Sequence, residues 1–562
     1  MPHDHHGEEE RLLDDEHTQQ GSVNDLHSDN SDHEDNDIVY IKKQIKQNAT
    51  QPFYRRPSVF AVIFLIGLLT LSSSSAEGTR QSLIYAKALE SSKSDEASVP
   101  YIVARFNQYF LVGTTATALI PIAKFGELSN VYGRKLYFVM VIITITISRM
   151  LQYHLFRNYV GLQFGKLLLA NYVSCLFGGV NIIGALTESY VSDFTLPESR
   201  IFQFGLASSA TFIGQSFGPL IGTLISDWAG GKSAEAVSEA DFTVLKFELA
   251  VMLLLSVYVI TLFPESRNEL AREASEEQLV EHELEEEGNS ASEAASESSD
   301  LDKNLNRLVL YQIFKSIDII QPMKILTYPS EVAKVNKKHR LQELRLVVIS
   351  LVLIYATYQT LIFSLNQVVI EYGQYAFHWD SDNISYLLST ISVSRAISLV
   401  LILPFFEKTL LKRTFSLRSL NRSFDMVEYI LMLLSFGVAI LVFLAFYTTQ
   451  SRGFYIAAGC FSFDALIGPV FDSTIIKFFP NSSSGQVYGA ITLLVSLMNL
   501  VSPILVTWIY ELALNFEHAN LVYLFYAFWM GVFIFVVYLC KRVLHLNRST
   551  TDKEFKFMNG EL

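Results

Sequence analysis

The chain has 562 residues, half of them hydrophobic, with 41 Phe, 27 Tyr and a formal net charge of −13. Apolar runs of about 18 or more residues recur along it, which indicates a membrane protein with many spanning helices and excludes an ordinary soluble domain. The acidic residues concentrate in residues 1–50 and 269–302, whereas the short loops between apolar runs are basic. Three cysteines, Cys175, Cys460 and Cys540, fall inside predicted spans, so we expect buried thiols and no disulfide framework.

Residues 1–56 predict a disordered acidic tail, because they hold too few apolar residues to form a core. Glu8 precedes the pair Leu12-Leu13 by four positions, which resembles the adaptor-binding signal that sorts membrane proteins to lysosomes or vacuoles. A chance match in a tail is the alternative. The tail also holds half of the histidines, which are His3, His5, His6, His17, His27 and His33. Such a tract can bind a transition metal, but a solvated polar tail is the favoured interpretation and we predict no metal site.

Twelve apolar runs predict twelve spans in two groups of six. The first bundle, 57–264, contains runs at 58–76, 107–124, 136–152, 160–193, 201–226 and 242–263. The second bundle, 344–542, contains runs at 344–371, 384–406, 427–448, 454–479, 487–510 and 519–542. The middle segment, 265–343, is predicted to be disordered in its acidic half. Its 305–317 stretch has the apolar period of a helix lying at the membrane interface.

The distribution of Lys and Arg predicts the topology. With twelve spans, both tails and the middle segment lie on one side, and the loops on that side carry more basic residues than the opposite loops. The positive-inside rule then places the N-terminal tail, the middle segment and the C-terminal tail at 543–562 in the cytosol.

The two halves repeat at a fixed offset. The stretch Gly184-x-x-x-Glu188-Ser189 recurs as Gly468-x-x-x-Asp472-Ser473, which is 472 − 188 = 284 residues later. Pro219 and Pro503 fall in the same register. A six-plus-six duplication is a common plan of secondary transporters, whose binding sites lie at the midplane between the halves.

Four motifs in order resemble the Major Facilitator Superfamily, and within it the tetracycline-exporter-like branch with its fungal members. They are the loop Gly126-Glu127-Leu128-Ser129-Asn130-Val131-Tyr132-Gly133-Arg134-Lys135, the junction at 190–200, the stretch at 214–222, and Phe263-Pro264-Glu265-Ser266. The resemblance covers about 57–542. It implies an all-α polytopic membrane protein with twelve transmembrane helices in two pseudo-symmetric six-helix bundles.

Polar groups inside the spans are the candidates for binding substrate or protons, since a charge at the bilayer centre costs about 2.5–3.5 kcal/mol on insertion scales. Arg395 lies in the eighth span and Asp464 in the tenth, and the resemblance implies that these helices are neighbours beside a central cavity. The pair would bind an anionic substrate group or relay a proton; a purely structural ion pair is the alternative. The further candidates are Asn171, Asn181, Glu77, Asn366, Gln367 and Glu371.

The resemblance also implies a gate at the polar loop. Its candidate residues are Gly126, Asn130, Gly133, Arg134, Lys135, Glu188, Asp193 and Asp472, with Glu188 and Asp193 expected beside Arg134. The family usually has Asp where this chain has Asn130, so we expect a weakened or rewired latch. Proton-coupled members often carry an Arg in helix 4, where this chain has Asn171 and, four residues on, Cys175. Helix 5 carries the packing motif Gly214, Gly218, Pro219 and Gly222, whose glycines are four apart and let a neighbouring helix approach closely.

No P-loop, zinc-protease or nucleophile motif stands out, so we predict neither an enzyme nor a cofactor. The leading prediction is a secondary active transporter of a small solute, gradient (proton) coupled, in a vacuolar or lysosomal-type membrane. We expect a monomer whose partners are the solute, membrane lipid and a sorting adaptor, but not nucleic acid. The alternative is a non-transporting sensor or scaffold that signals through its tail or middle segment.

Overall fold

A computed structural model describes residues 41–48, 50–52, 55–91, 99–230, 237–269, 271–272, 275–276, 321–329, 341–379, 381–417, 424–448, 451–516 and 518–544. The dileucine signal (Glu8, Leu12 and Leu13), the tail histidines, the acidic stretch beyond 276 and the interfacial helix at 305–317 lie outside the described residues.

Twelve long helical elements make up the described bundle. The first half contains α1 Val59–Ser91, α2 Val99–Tyr132, α3 Arg134–Asn158, α4 Phe164–Phe194, α5 Pro197–Trp228 and α6 Glu239–Thr261. The second half contains α7 Leu341–Phe377, α8 Ser381–Ile397 with its π-helical continuation to Thr414, α9 Met426–Thr448, α10 Ser451–Ile476, α11 Ser484–Asn515 and α12 Leu521–Val543. We call the end of the bundle at which α2 meets α3 the Arg134 end.

Eleven of the described helices are long and apolar enough to cross a membrane. The remaining one, α5, is diluted by Gly, Ser and Gln, but its 32 residues span roughly 48 Å and pack along the spanning helix α1. We therefore count α5 as the twelfth span, and the predicted all-α fold class is confirmed. Some helices outrun their predicted spans, because the polar residues that end an apolar run continue the helix. Thus α1 extends to Ser91 rather than ending at residue 76.

Both halves interrupt the equivalent helix at the same register. In α4, the segments Phe164–Ser174 and Gly179–Phe194 are separated by a turn in which Gly178 has φ 89° and Gly179 has φ 60°. In α10, the α-helix tightens into a 3₁₀ segment at Phe461–Leu466. Adding the sequence offset gives 178 + 284 = 462, which lies in that segment. The internal repeat therefore extends to the helix irregularities.

The helix-5 glycines lie against the small-residue stretch of α1. A Cβ at Gly218 would lie 2.6 Å from the Ser74 Cβ, and one at Gly222 would collide with the backbone carbonyl of Ser75. Pro219 sits inside α5 without ending it. The two helix backbones are close enough that only glycine fits on this face of α5.

The described part of the middle segment is a short strap at the Arg134 end. It comprises a 3₁₀ helix, Gln321–Thr327, and Tyr328. Ile325, Leu326 and Tyr328 are buried, and the strap packs against α2 of the first half and α7 and α11 of the second. It therefore touches both bundles.

The thiols differ from the prediction at one position. Cys175 and Cys540 are buried, but Cys460 is exposed. Its position at the end of the helical segment Ser451–Cys460, just before the 3₁₀ turns, rotates it away from the packed face.

Candidate functional site

Arg134 is the centre of a buried polar network at the Arg134 end. It is fully buried; its Nε lies 3.2 Å from Oδ2 of Asp193, and its Nη2 donates to Ser484 Oγ at 2.9 Å. Its Nη1 donates to the Ser129 hydroxyl. Because Ser484 begins α11, one guanidinium joins the first half of the chain to the second.

Glu265, just after α6, fastens the first turn of α3. Its Oε1 accepts from the Arg134 backbone N–H at 2.9 Å and its Oε2 from that of Lys135 at 3.0 Å. These N–H groups have no partner within the helix. Gly133 has φ 93°, and a Cβ there would lie 2.5 Å from Glu265 Oε2. In the sequence, Glu265 stands out only as part of the helix-end motif Phe263-Pro264-Glu265-Ser266, and that motif does not indicate this capping role.

Asn130 contacts the second half directly. Its Oδ1 accepts from the Gly485 backbone N–H at 3.1 Å and from Arg267 Nη1 at 3.3 Å. A Cβ at Gly126 would lie 2.5 Å from Gly485 O and 2.9 Å from Gly489 Cα. Gly126 therefore lets α2 pack closely against α11, and Asn130 accepts a hydrogen bond from a backbone N–H in the first turn of α11.

Further contacts join the halves around this network. Arg200 Nη2 donates to Asn481 Oδ1 at 3.4 Å, and Lys412 Nζ donates to the Glu198 carbonyl at 2.7 Å. We call this set of inter-half contacts, centred on Asn130 and Arg134, the latch. These hydrogen bonds hold the two halves together at the Arg134 end.

Glu188 does not reach Arg134, contrary to the expectation from the sequence. It precedes Asp193 by five residues, which places it about 140° around α4 and roughly 7.5 Å deeper. There its side chain is within hydrogen-bonding reach of Asp472, its repeat-equivalent on α10. Tyr355 donates to Asp472 Oδ2 at 2.9 Å, and the Tyr488 hydroxyl donates to the Asp472 carbonyl at 3.0 Å.

Arg395 and Asp464 meet in the second half. Arg395 Nε lies 3.0 Å from Asp464 Oδ1, and Nη2 lies 2.6 Å from Oδ2, so the carboxylate is held at both oxygens. The Tyr358 hydroxyl donates to Asp464, and the guanidinium lies 5.4 Å from the ring centre of Phe212 on α5. Both charges are buried, and Phe212 places the arginine at the boundary with the first half.

The first half contains a second buried charge cluster. Arg80 on α1 donates to Glu248 on α6 at 2.5 Å and to Glu77 at 2.6 Å, and Arg149 Nε lies 3.3 Å from Glu248. Arg80, Arg149 and Glu248 line a small cavity with Gln152. Of the four charged residues, only Glu77 was a candidate predicted from the sequence. The missed signal was a charge inside an apolar run, at Arg149 and Glu248; Arg80 lies beyond the predicted end of the first span.

The remaining candidates are dispersed. Asn171 Oδ1 accepts from Gln152 Nε2 at 3.3 Å beside the first-half cluster, and Asn181 is exposed on α4. On the far part of α7, Gln367 donates to Glu371 at 2.8 Å, near exposed Asn366. Within the described ranges, no group of three or more His, Cys, Asp or Glu side chains is arranged to hold a metal ion.

The chain is similar in sequence to a known protein family and to a yeast membrane protein. The family model of the Major Facilitator Superfamily matches residues 109–503. The chain is 23% identical over 425 residues to the uncharacterized membrane protein YJL163C of Saccharomyces cerevisiae, covering 73% of this chain and 70% of the relative.

Solved transporters share the fold. The human organic anion transporter MFSD10 (TETRAN) superposes with a TM-score of 0.58 at 15% identity, covering 87% of this chain and 100% of that one. The proton:xylose symporter XylE, bound to 6-bromo-6-deoxy-D-glucose, gives 0.54 at 15% identity, with coverages of 85% and 95%. The transporter FucP in the outward conformation gives 0.52 at 13% identity, with coverages of 85% and 98%. At these identities the likeness shows the fold alone.

Proposed function

Because the chain belongs to the Major Facilitator Superfamily, we propose that it is a secondary active transporter that moves a small solute by alternating access. The protein has two six-helix bundles, and solute sites in such duplicated transporters lie between the halves. We propose that a proton gradient drives the cycle.

The latch is the observation that carries this proposal. Hydrogen bonds from Arg134 to Ser484 and from Gly485 to Asn130 hold the two halves together at one end of the bundle. An alternating-access cycle requires such a closure to form and break as the site turns from one side of the membrane to the other. The geometry supports a state closed at the Arg134 end.

Arg395 and Asp464 are the proposed solute and proton groups. An intramembrane ion pair is expensive to bury and usually marks a transport pathway. Arg395 contacts the ring of Phe212 across the boundary between the halves, so a solute bound there would touch both bundles. A guanidinium recognises carboxylate or phosphate groups, and we infer an anionic solute that competes with Asp464 for Arg395.

We propose a cytosolic location for the Arg134 end, on the basis of its basic loops, and a vacuolar or lysosomal-type membrane. The sorting signal at Glu8, Leu12 and Leu13 supports the membrane assignment from the sequence alone. Membership of the tetracycline-exporter-like branch stays a prediction, as do the monomeric state and the adaptor on the tail.

The test begins with metabolite profiling of isolated organelles with and without the protein, which identifies the solutes that it redistributes. Flux of those solutes is then measured in reconstituted vesicles with and without an imposed pH gradient. We expect gradient-stimulated flux in the wild type, and a loss of at least about tenfold in Asp464→Asn, equivalent to about 1.4 kcal/mol. Flux and pH dependence that are unchanged in Asp464→Asn would rule out the proton-relay role.

The strap favours one alternative, a sensor that keeps the fold and signals without transport. Ile325, Leu326 and Tyr328 are buried against both bundles, so a change in bundle arrangement would be transmitted to the middle segment. Reconstituted vesicles separate the two functions. Saturable solute binding without turnover would favour the sensor, whereas flux that saturates at the same solute concentrations would favour the transporter.

A further inference from the structure

Glu188 and Asp472 bring two carboxyl groups together across the boundary between the halves. Glu188 is on α4 of the first half and Asp472 on α10 of the second, and their side chains are within hydrogen-bonding reach of each other. The internal repeat explains why they meet. They are equivalent positions, 284 residues apart, on the two helices that the internal repeat relates.

The contacts of the pair leave room for a proton. Asp472 is 3% exposed, and Tyr355 donates to its Oδ2, but its Oδ1 has no hydrogen-bond donor among the described residues. Neither carboxyl forms an ion pair with a lysine or arginine of the described part of the chain. Two carboxylates at hydrogen-bonding distance cannot both be ionised, and one proton between them removes the repulsion and satisfies the orphaned oxygen.

We propose that Glu188 and Asp472 share one proton when the Arg134 end is closed, and that this proton couples the transport cycle to pH. The inference deepens the proposed function, on which it rests, by naming the site at which the coupling proton binds. On closure one proton from solvent adds to the pair, and on opening the carboxyls separate and return it to solvent.

The surroundings allow this exchange. One helical turn farther from the latch, a Cβ added to Gly184 would have no atom within 4 Å, and one added to Gly468 would meet only the Tyr355 hydroxyl, at 3.9 Å. This open space gives water access to the half-buried Glu188. The titratable groups that face the pair are Tyr355 from α7 and Tyr488 from α11. Towards the latch, Arg200 and Asp193 act on Tyr488 rather than on the carboxyls directly.

The sign of the pH effect follows from the proton count. The closed state holds one proton more than the open state, so acid favours closure, and closure is lost as the pH rises. For one proton, the closed-to-open ratio falls by up to about tenfold per pH unit through the transition.

The experiment measures the latch itself. Spin labels at cysteines that replace Glu198 and Arg413, both exposed and one in each half, report the inter-half distance in the full-length protein in nanodiscs. Cys460→Ser removes the exposed natural thiol. Between pH 5 and 9, we expect the short-distance population to give way to a long-distance one.

Glu188→Gln and Asp472→Asn are each expected to abolish this transition and keep the short distance, because an amide donates to the remaining carboxylate at every pH. Glu428→Gln is the matched control, since Glu428 is a buried acid paired with Lys477 within the second half; its transition is expected to match the wild type. Because both amide variants are measured, the test still holds if one of them does not fold. A transition that persists in both amide variants, or an inter-half distance that does not respond to pH in the wild type, would overturn the inference.

This outcome is distinguishable from failure of the proposed function. Solute flux with no pH-dependent distance change would reject the shared proton of Glu188 and Asp472 but support the transporter function. A pH-dependent distance change without flux for any solute would support the shared proton but reject the transporter function.

Discussion

At the residue scale, the chain relies on groups whose partners lie in the other half. Asn130 accepts a hydrogen bond from the Gly485 backbone N–H, and Arg134 donates one to Ser484. Substitution of either residue is therefore expected to alter the association of the bundles rather than the stability of one helix. Lys477 shows the opposite case within one half. Burial alone would lower the pKa of Lys477, but Asp425 and Glu428 raise it, so the amine stays charged and fastens the start of α9.

Asn130→Asp is expected to strengthen the latch. A carboxylate would add a charge at the first turn of α11, worth roughly 0.3–1 kcal/mol, and would also attract Arg267 at 3.3 Å. We expect a larger closed population and slower transport, measured by inter-half distances and by vesicle flux. Asn130→Ala is the control with the opposite sign, since it leaves the Gly485 N–H without its acceptor. If Asn130→Asp changed neither the rate nor the closed population, the latch role of Asn130 would be wrong.

At the element scale, close backbone approach sets the packing of α1 on α5. The small residues that let these helices meet also lower the hydropathy of α5, which explains why α5 alone is not recognised as a span by composition. Within a membrane, such contacts replace the hydrophobic effect as the force that holds helices together.

Gly218→Ala is expected to destabilise the first bundle by about 1–3 kcal/mol, because overpacking forces the backbones apart. The added Cβ would lie 2.6 Å from Ser74 Cβ and 3.0 Å from Leu71 O. Gly67→Ala, on α1, is the matched control, since nothing lies within 4 Å of its Cβ. Thermal unfolding in detergent compares the two, and equal melting temperatures would contradict the close-packed seam.

Removing the strap's anchor is expected to loosen the Arg134 end. Tyr328 is fully buried and packs edge-on against Phe479, with ring centres 5.6 Å apart. Loss of a buried aromatic side chain costs about 3–5 kcal/mol, so we expect Tyr328→Ala to speed hydrogen exchange at the start of α11. Thr327→Ala, at an exposed strap position, is the control. Exchange at α11 that is the same in both variants would show that the strap does not support the closed state.

At the scale of the whole molecule, the latch makes closure a joint property of the two bundles. The contacts of Lys412 with Glu198 and of Arg200 with Asn481 lie beside those of Asn130 and Arg134. Opening at this end must therefore break several hydrogen bonds together, each worth about 0.5–1.5 kcal/mol net.

A covalent clamp across the latch is expected to arrest the cycle. Cysteines at the positions of Glu198 and Lys412, joined by a short thiol cross-linker, should stop vesicle flux while solute binding from the opposite side persists. Each single-cysteine variant treated with the same reagent is the control. Undiminished flux in the cross-linked protein would show that the halves do not separate at this end during transport.

Much of the candidate site could be anticipated from the chain itself. Charges placed in mid-span drew attention to Arg395 and Asp464, which the structure brings together. The loop motif identified Arg134, and the family resemblance implied that Asp193 lies beside it. The rotation of one helix against another could not be anticipated, because apolar runs fix the length of a span but not its facing partner. Hence Glu188 was expected beside Arg134 and instead meets Asp472.

The sequence by itself determined the duplication and the family, because both depend on short motifs at fixed spacing. Local hydropathy indicated every span except α5, which was counted from its packing along α1. Only the tertiary structure decided which polar groups share a contact. Three contacts join residues more than 100 positions apart. They are the cap that Glu265 forms on Arg134, the ion pair of Arg80 with Glu248, and the carboxyl pair of Glu188 with Asp472. Such contacts follow from helix tilt and rotation in the packed bundle, which no local pattern encodes.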